Sequence, residues 1–151
     1  MSDSLTFMMG EFEAKFPTDR LYASNHMWAQ VGTGRVRFGF AAYAVRLLQD
    51  VYFLDWSVEA PFETPLGQEI GSIESKKAES SLYAPLEGQI VEFNEVLMND
   101  PSAINTDKYG QGWLFEMTGA AEELMSPAAY IEHLDAVWAK TQRTIKGQLN
   151  E

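Results

Sequence analysis

The 151-residue chain contains no cysteine. Disulfides, thiolate catalysis and cysteine-based metal sites are excluded together, and a cytoplasmic location is the simplest reading. No apolar stretch approaches the roughly 20 residues that a membrane-spanning helix needs, so no membrane association is expected. The opening residues, MSDSLTF, have no basic region followed by an apolar run, which argues against a secretory signal. Basic residues are scarce: 11 Lys and Arg stand against 22 Asp and Glu, for a net charge of −11. Phosphate contacts depend on Lys and Arg, so nucleic acid is not expected as a partner. A surface this acidic confers solubility, and it also steers a protein toward basic docking sites on partners. Only two histidines are present, His26 and His133, and their spacing is not that of a metal site. A Ser-His-Asp site cannot be argued from order in the chain, because sequence order gives no proximity.

What is present suits one domain. Hydrophobic residues make up 46% of the chain, enough for a core. Residues 1–20 read as a loose N-terminal extension, 21–125 as the main domain and 126–151 as a C-terminal helix packed on it. Short strands are expected around His26–Trp28 and Arg35–Phe38. Between Gly39 and Asp50, residues Phe40, Tyr43, Ala44, Leu47 and Leu48 fall at helical spacing. VYFLDW, from Val51 to Trp56, is rich in aromatic and β-branched residues and reads as a strand. Pro61, Pro65 and Gly67 mark a loop. Further strands are expected at Glu69–Glu74, Ser81–Pro85, Gln89–Phe93 and Trp113–Met117, with 94–105 as a connector. Ser126-Pro127 starts a helix, since Ser caps and Pro suits the first helical position. That helix is expected to reach about Lys146, with Ile131, Leu134, Trp138 and Ile145 near one stripe. The sum is a mostly-β barrel or sandwich with two helices. Trp28, Trp56, Trp113 and Trp138 read as packing residues, His133 as surface, and Met8-Met9 as either disordered or covering an apolar patch.

The stretch that carries chemistry is GSIESKKAESSLYAPLEGQIVEFN, Gly71 to Asn94. It reads as two strands flanking a tight polar connection with lysine at the tip. Such a lysine is exposed and reachable by an enzyme from outside. Left unmodified it is an ordinary solvated side chain. Acylation removes its charge and extends it into an arm.

Glu74, Ser75, Lys76, Lys77 and Ala78, followed by Leu82, Tyr83, Ala84 and Pro85, resemble the attachment motif of the glycine cleavage system H protein and of lipoyl domains more widely. The match continues through Gly88, Val91, Glu92 and Asn94. Tyr109-Gly110-Gln111-Gly112-Trp113-Leu114 resembles the family's Y-G-x-G-W strand, and His26 with Trp28 its early H-x-W. Asp50 to Phe53 resembles its G-D-hydrophobic strand, with Gln49 where glycine is usual. The resemblance spans about Leu21 to Ile131. It implies a barrel-sandwich hybrid of the lipoyl-domain type, and a carrier with no catalysis of its own. It also implies covalent lipoate on Lys77, with Glu74, Ser75 and Ala78 as its setting and His26 as an arm contact. Biotin carriers usually set their lysine between two methionines, whereas Lys76 and Ala78 flank Lys77. A different class is an unmodified interaction module that kept the fold and lost the cargo.

The sequence also departs from the resemblance. The family's early E-H-E-W has acids where Asn25 and Met27 stand, and Ala42 and Ser81 occupy two further places where an acid is common. A cationic aminomethyl cargo needs partners when sheltered, and Glu79 compensates only in part. The expected cargo is therefore sulfur species, as in the H-like lipoate-binding proteins of bacterial sulfur oxidation. Its partners would be a heterodisulfide-reductase-like complex and sulfurtransferases. The alternative is the aminomethyl group of glycine cleavage, with its P, T and L proteins. Either way a lipoate ligase or lipoyl-transfer enzyme is required, and a monomer is expected.

Overall fold

The structure is a computed structural model that describes residues 3–149, with side chains described as far as Lys140. Its strands are β1 (Ser4–Met9), β2 (Phe12–Pro17), β3 (Leu21–Tyr22), β4 (Met27–Val31), β5 (Val36–Phe40), β6 (Val51–Trp56), β7 (Phe62–Thr64), β8 (Glu69–Ser75), β9 (Glu79–Tyr83), β10 (Gly88–Phe93) and β11 (Phe115–Met117). The helices are α1 (Ala42–Leu48), α2 (Val96–Asn99), α3 (Ala103–Thr106) and α4 (Pro127–Leu149). A six-stranded sheet in the order β3-β4-β5-β11-β10-β7 and a three-stranded sheet in the order β6-β8-β9 enclose the main core. Phe38, Leu54, Ile70, Ile73, Leu82, Ile90, Phe115 and Met117 are among the side chains that fill it, each at most 4% exposed. This is the strand-rich sandwich with helical additions expected from the turn spacing.

Residues 3–20 correct the expectation of a loose extension. β1 and β2 form an antiparallel hairpin, with Phe7 opposite Ala14 and Met9 opposite Phe12. Apolar residues alternate along both strands, so one face points inward. Phe7, Met9, Ala14 and Phe16 build a second core with Tyr22, Trp28, Tyr43, Tyr130 and Leu134. Met9 is buried while Met8 is exposed. The mixed composition of the segment hides a period-two pattern only six residues long on each strand.

α4 starts where the capping signal placed it: Ser126 Oγ accepts the Ala129 N–H at 3.2 Å. Tyr130 and Leu134 turn its inner face into the second core. Ile145 lies outside the described side chains. Trp28 is fully buried, and its indole N–H donates to the Lys108 carbonyl at 2.8 Å. It also explains Gly39 on the neighbouring strand, where a Cβ would sit 2.5 Å from the Trp28 ring. Two other elements differ from expectation. Phe40 ends β5, so α1 is shorter than its helical spacing suggested, and the connector after Asn94 folds into the single turns α2 and α3.

Candidate functional site

β8 and β9 form a hairpin whose turn is Ser75-Lys76-Lys77-Ala78. Ser75 is 5% exposed and organises that turn. Its N–H donates to the Ala78 carbonyl at 2.8 Å, its hydroxyl donates to the same carbonyl at 3.1 Å, and the Ala78 N–H donates back to Ser75 Oγ at 3.1 Å. The Lys76 N–H is tied to the Asp50 carbonyl at 2.9 Å, at the start of β6. Lys76 and Lys77 are thus the two exposed central residues of a turn pinned from two sides. Glu74 and Glu79 face each other directly across the hairpin just behind the lysines.

Beside the turn lies a cleft of about 370 Å³. β9 and Ala78 just before it form one wall. α1 supplies Ala44, Leu47 and Leu48 from the other side, and Asn25, His26 and Met27 also line it. Glu79 is the one carboxylate among its lining residues. Three of the four places where the resemblance lacks an acid, Asn25, Met27 and Ser81, line this cleft. Ala42 instead starts α1 and lines a separate hollow with Arg46, Asp50 and Lys108.

The five residues expected at the site therefore divide. Lys77, Ser75 and Ala78 form the turn, and Ala78 also edges the cleft. Glu74 belongs to the outer face of β8, away from it. His26 lines the cleft. It adopts a positive φ of 71°, and its Nδ1 lies 2.9 Å from the Tyr130 hydroxyl. Its ring packs against Tyr43 at a centroid distance of 4.6 Å. Burial, and then the neighbouring His133, lower the His26 pKa to about 4. The imidazole is therefore neutral near pH 7. Burial also keeps the Tyr130 hydroxyl protonated well above the usual phenol range. His133 is half-buried rather than free on the surface, with its ring 6.0 Å from His26.

Sequence reading missed Leu47, Leu48 and Tyr83 as cleft residues. The helical spacing placed both leucines on one face of α1 but could not say which strand that face meets. Asn25 was noticed only as a missing acid. Its amide N–H donates to the Tyr83 carbonyl at 3.0 Å, which leaves its buried Oδ1 without a protein partner.

A nine-strand sandwich of two sheets, a tip lysine on a pinned hairpin and an adjoining apolar cleft together define a carrier domain of the lipoyl type. A family model described as glycine cleavage H-protein matches residues 20–137, and the chain belongs to that family. The H protein of Stenotrophomonas maltophilia strain K279a is 39% identical over 127 residues, 81% of this chain and 96% of that protein. A probable H protein of Saccharolobus solfataricus is 36% identical over 123 residues, 78% of this chain and 89% of that one. The crystal structure of an H protein from Mycobacterium marinum superposes with a TM-score of 0.70 at 35% identity, covering 80% of this chain and 98% of that chain. Members of the family are non-catalytic carriers with lipoate attached covalently to a lysine. These relatives bear the glycine cleavage name. They give the sulfur-oxidation expectation no support and favour the aminomethyl alternative. Among the described residues, no helix is long and apolar enough to cross a membrane.

Proposed function

We propose that Lys77 carries lipoate and that the chain shuttles an aminomethyl group as the H protein of a glycine cleavage system. Its partners are then the glycine-decarboxylating P protein, the aminomethyl-transferring T protein and the dihydrolipoyl dehydrogenase. A lipoate ligase or lipoyl-transfer enzyme installs the arm, and the setting is cytoplasmic. The observation that carries this reading is the exposed position of Lys77 on a turn fixed by Ser75, directly beside an apolar cleft.

The residues present fit the group. Lys77 offers an exposed amine at the centre of the turn, and its neighbour Lys76 is held there through its backbone N–H to the Asp50 carbonyl. Phe40, Leu47, Leu48, Ile73 and Leu82 give the cleft apolar walls suited to an aliphatic chain. Lipoate supplies a dithiol that takes up and gives back the cargo. The protein's own part is to present the root of the arm at one point, shelter its length from water and offer Glu79 at the rim. Intact mass of protein made with lipoate should show one lipoyl increment, lost in Lys77→Ala and kept in Lys76→Ala. Failure of a lipoate ligase to modify the wild type would overturn the reading.

One observation favours a second cargo. The cleft holds a single carboxylate, where a cationic group needs anionic partners. Sulfur species passed to a heterodisulfide-reductase-like complex remain the runner-up on that ground. Mixing the lipoylated protein with the glycine-decarboxylating component and glycine separates the two. Efficient aminomethyl loading sinks the sulfur reading, and its absence sinks the glycine one.

A further inference from the structure

Helix α1 is the wall of the cleft that the β8–β9 hairpin does not provide. It has seven residues and no side-chain cap at its N-terminus. A helix this short is not stable in isolation, so its position is set by what packs on it. On the face away from the cleft, that packing comes from β2, from Phe7 of β1 and from Trp138 of α4, and β1 and β2 lie outside the residues matched by the family.

One hydroxyl joins the two parts. Tyr109 Oη accepts the N–H of Ala42, the first residue of α1, at 2.9 Å. The same hydroxyl donates to the carbonyl of Lys15 on β2 at 2.8 Å. Two ring contacts add to the attachment. Phe7 of β1 meets Tyr43 at a centroid distance of 6.5 Å, and the Arg46 guanidinium lies 4.3 Å over the ring of Phe12. Tyr109 opens the YGQGWL motif, which the attachment chemistry leaves unused.

We propose that Tyr109 and the β1–β2 hairpin form a positioning clamp that holds α1 against β9 and so sets how well the cleft shelters the arm. This rests on the reading that an arm on Lys77 rests in that cleft. Tyr109 touches neither arm nor cargo. It acts through Ala42, by satisfying a helix-end N–H that has no intrahelical partner. With the clamp in place, Ala44, Leu47 and Leu48 keep their distance from β9. Without it, α1 is anchored mainly by its own buried side chains and by the chain on either side.

The test uses the full chain. Tyr109→Phe removes the hydroxyl and keeps the ring against Trp28 and Arg20. Phe12→Leu weakens the far end of the clamp without touching the hydroxyl. Hydrogen exchange on the unlipoylated protein should accelerate at least fivefold across Ala42–Leu48 in both variants, with β8 and β9 unchanged. On the lipoylated, reduced protein, N-ethylmaleimide should alkylate the arm more slowly than it alkylates a lipoyl-lysine peptide. Each variant should then lose at least half of that protection, while intact mass shows Lys77 still fully lipoylated. Unchanged exchange in α1 overturns the clamp. Faster exchange with an equally protected arm overturns its link to the cleft. A wild-type arm as reactive as the peptide removes the resting place itself, a failure distinct from the other two.

Discussion

Ser75 and Ala78 are bound to each other three times across a four-residue turn, by two donations to the Ala78 carbonyl and one return from the Ala78 N–H to Ser75 Oγ. A serine hydroxyl is the smallest side chain that both donates and accepts. Here it replaces water for a carbonyl and an N–H at the base of the lysine turn. Rigidity at the base and exposure at the tip are what a fixed root for a moving arm requires.

Ser75→Ala removes both side-chain bonds at a buried position. Each is worth about 0.5–1.5 kcal/mol net, so a loss of about 1–2 kcal/mol is expected in urea unfolding. Lipoylation by a ligase should slow as the turn loosens, read as the fraction of modified protein over time. A variant equally stable and modified at the wild-type rate would show the turn to be held by its backbone alone.

Gln49 occupies a backbone position that suits glycine, with φ 58° and ψ −139° at the end of α1. Asn105 holds it there, donating to the Gln49 carbonyl at 2.6 Å while its Oδ1 accepts the Val51 N–H at 2.9 Å. A non-glycine residue in such a region costs on the order of 1–3 kcal/mol. Gln49→Gly is therefore expected to stabilise the protein by about 1 kcal/mol, seen as a higher denaturant midpoint at unchanged slope. Lower stability would mean that the Gln49 side chain makes up for its own strain.

The lowered His26 pKa has a definite sign in the pH profile. The unfolded chain takes up a proton near the ordinary imidazole value of 6.5, whereas the folded imidazole waits until about pH 4. Between those limits the unfolded state binds more protons, so stability falls as the pH drops from 6.5 toward 4 and is full above 6.5. The loss attributable to His26 is at most about 3 kcal/mol, at about 1.36 kcal/mol per pKa unit. Unfolding curves at pH 7.5, 6 and 4.5 should give a shallower fall for His26→Gln than for wild type. Parallel curves would assign the acid sensitivity to other groups.

Phe16 tests whether the N-terminal hairpin belongs to the folded unit. It is fully buried and meets the rings of Tyr22 and Tyr130 edge-on at 5.9 and 5.3 Å. Phe16→Ala should cost about 3–5 kcal/mol, the usual range for a core aromatic. A change under about 1 kcal/mol would mark the hairpin as an appendage.

The residues differ in how plainly the sequence displays them. VYFLDW reads as a strand because β-branched and aromatic residues crowd six positions, and Ser126-Pro127 reads as a helix start because both residues have a job there. Lys77 is singled out by the motif of the resemblance alone, since hairpin geometry offers Lys76 and Lys77 equally exposed at the same turn. The β1–β2 hairpin was not legible, since SLTFMM and FEAKFP each show only two or three inward residues. Glu74 was grouped with the arm by adjacency, yet strand alternation sends it to the opposite face from Ile73 and Ser75. Cleft walls drawn from α1, β9 and the turn before β4 join segments far apart in the chain, from Asn25 to Ala44 and on to Tyr83, which no local pattern encodes.

Ser81 gives the sharpest test of cargo. It is half-buried and lines the cleft on β9, two residues beyond Glu79. Ser81 shares its strand face with Glu79, so an aspartate there would place a second carboxylate at the rim of a cleft whose lining now offers one. A sheltered cation gains from that charge more than it would in bulk water, because the local dielectric is lower. If the cargo is an aminomethyl group, Ser81→Asp should lengthen the lifetime of the loaded protein severalfold at pH 7, followed by mass spectrometry after removal of the loading enzyme. Raising the ionic strength should shrink the gain only modestly, since a partly buried pair is poorly screened. For an anionic sulfur cargo the same carboxylate brings repulsion instead, and the loaded form should decay faster than in wild type, whereas a neutral cargo should show little change. The sign of the change therefore identifies the charge of what the arm carries.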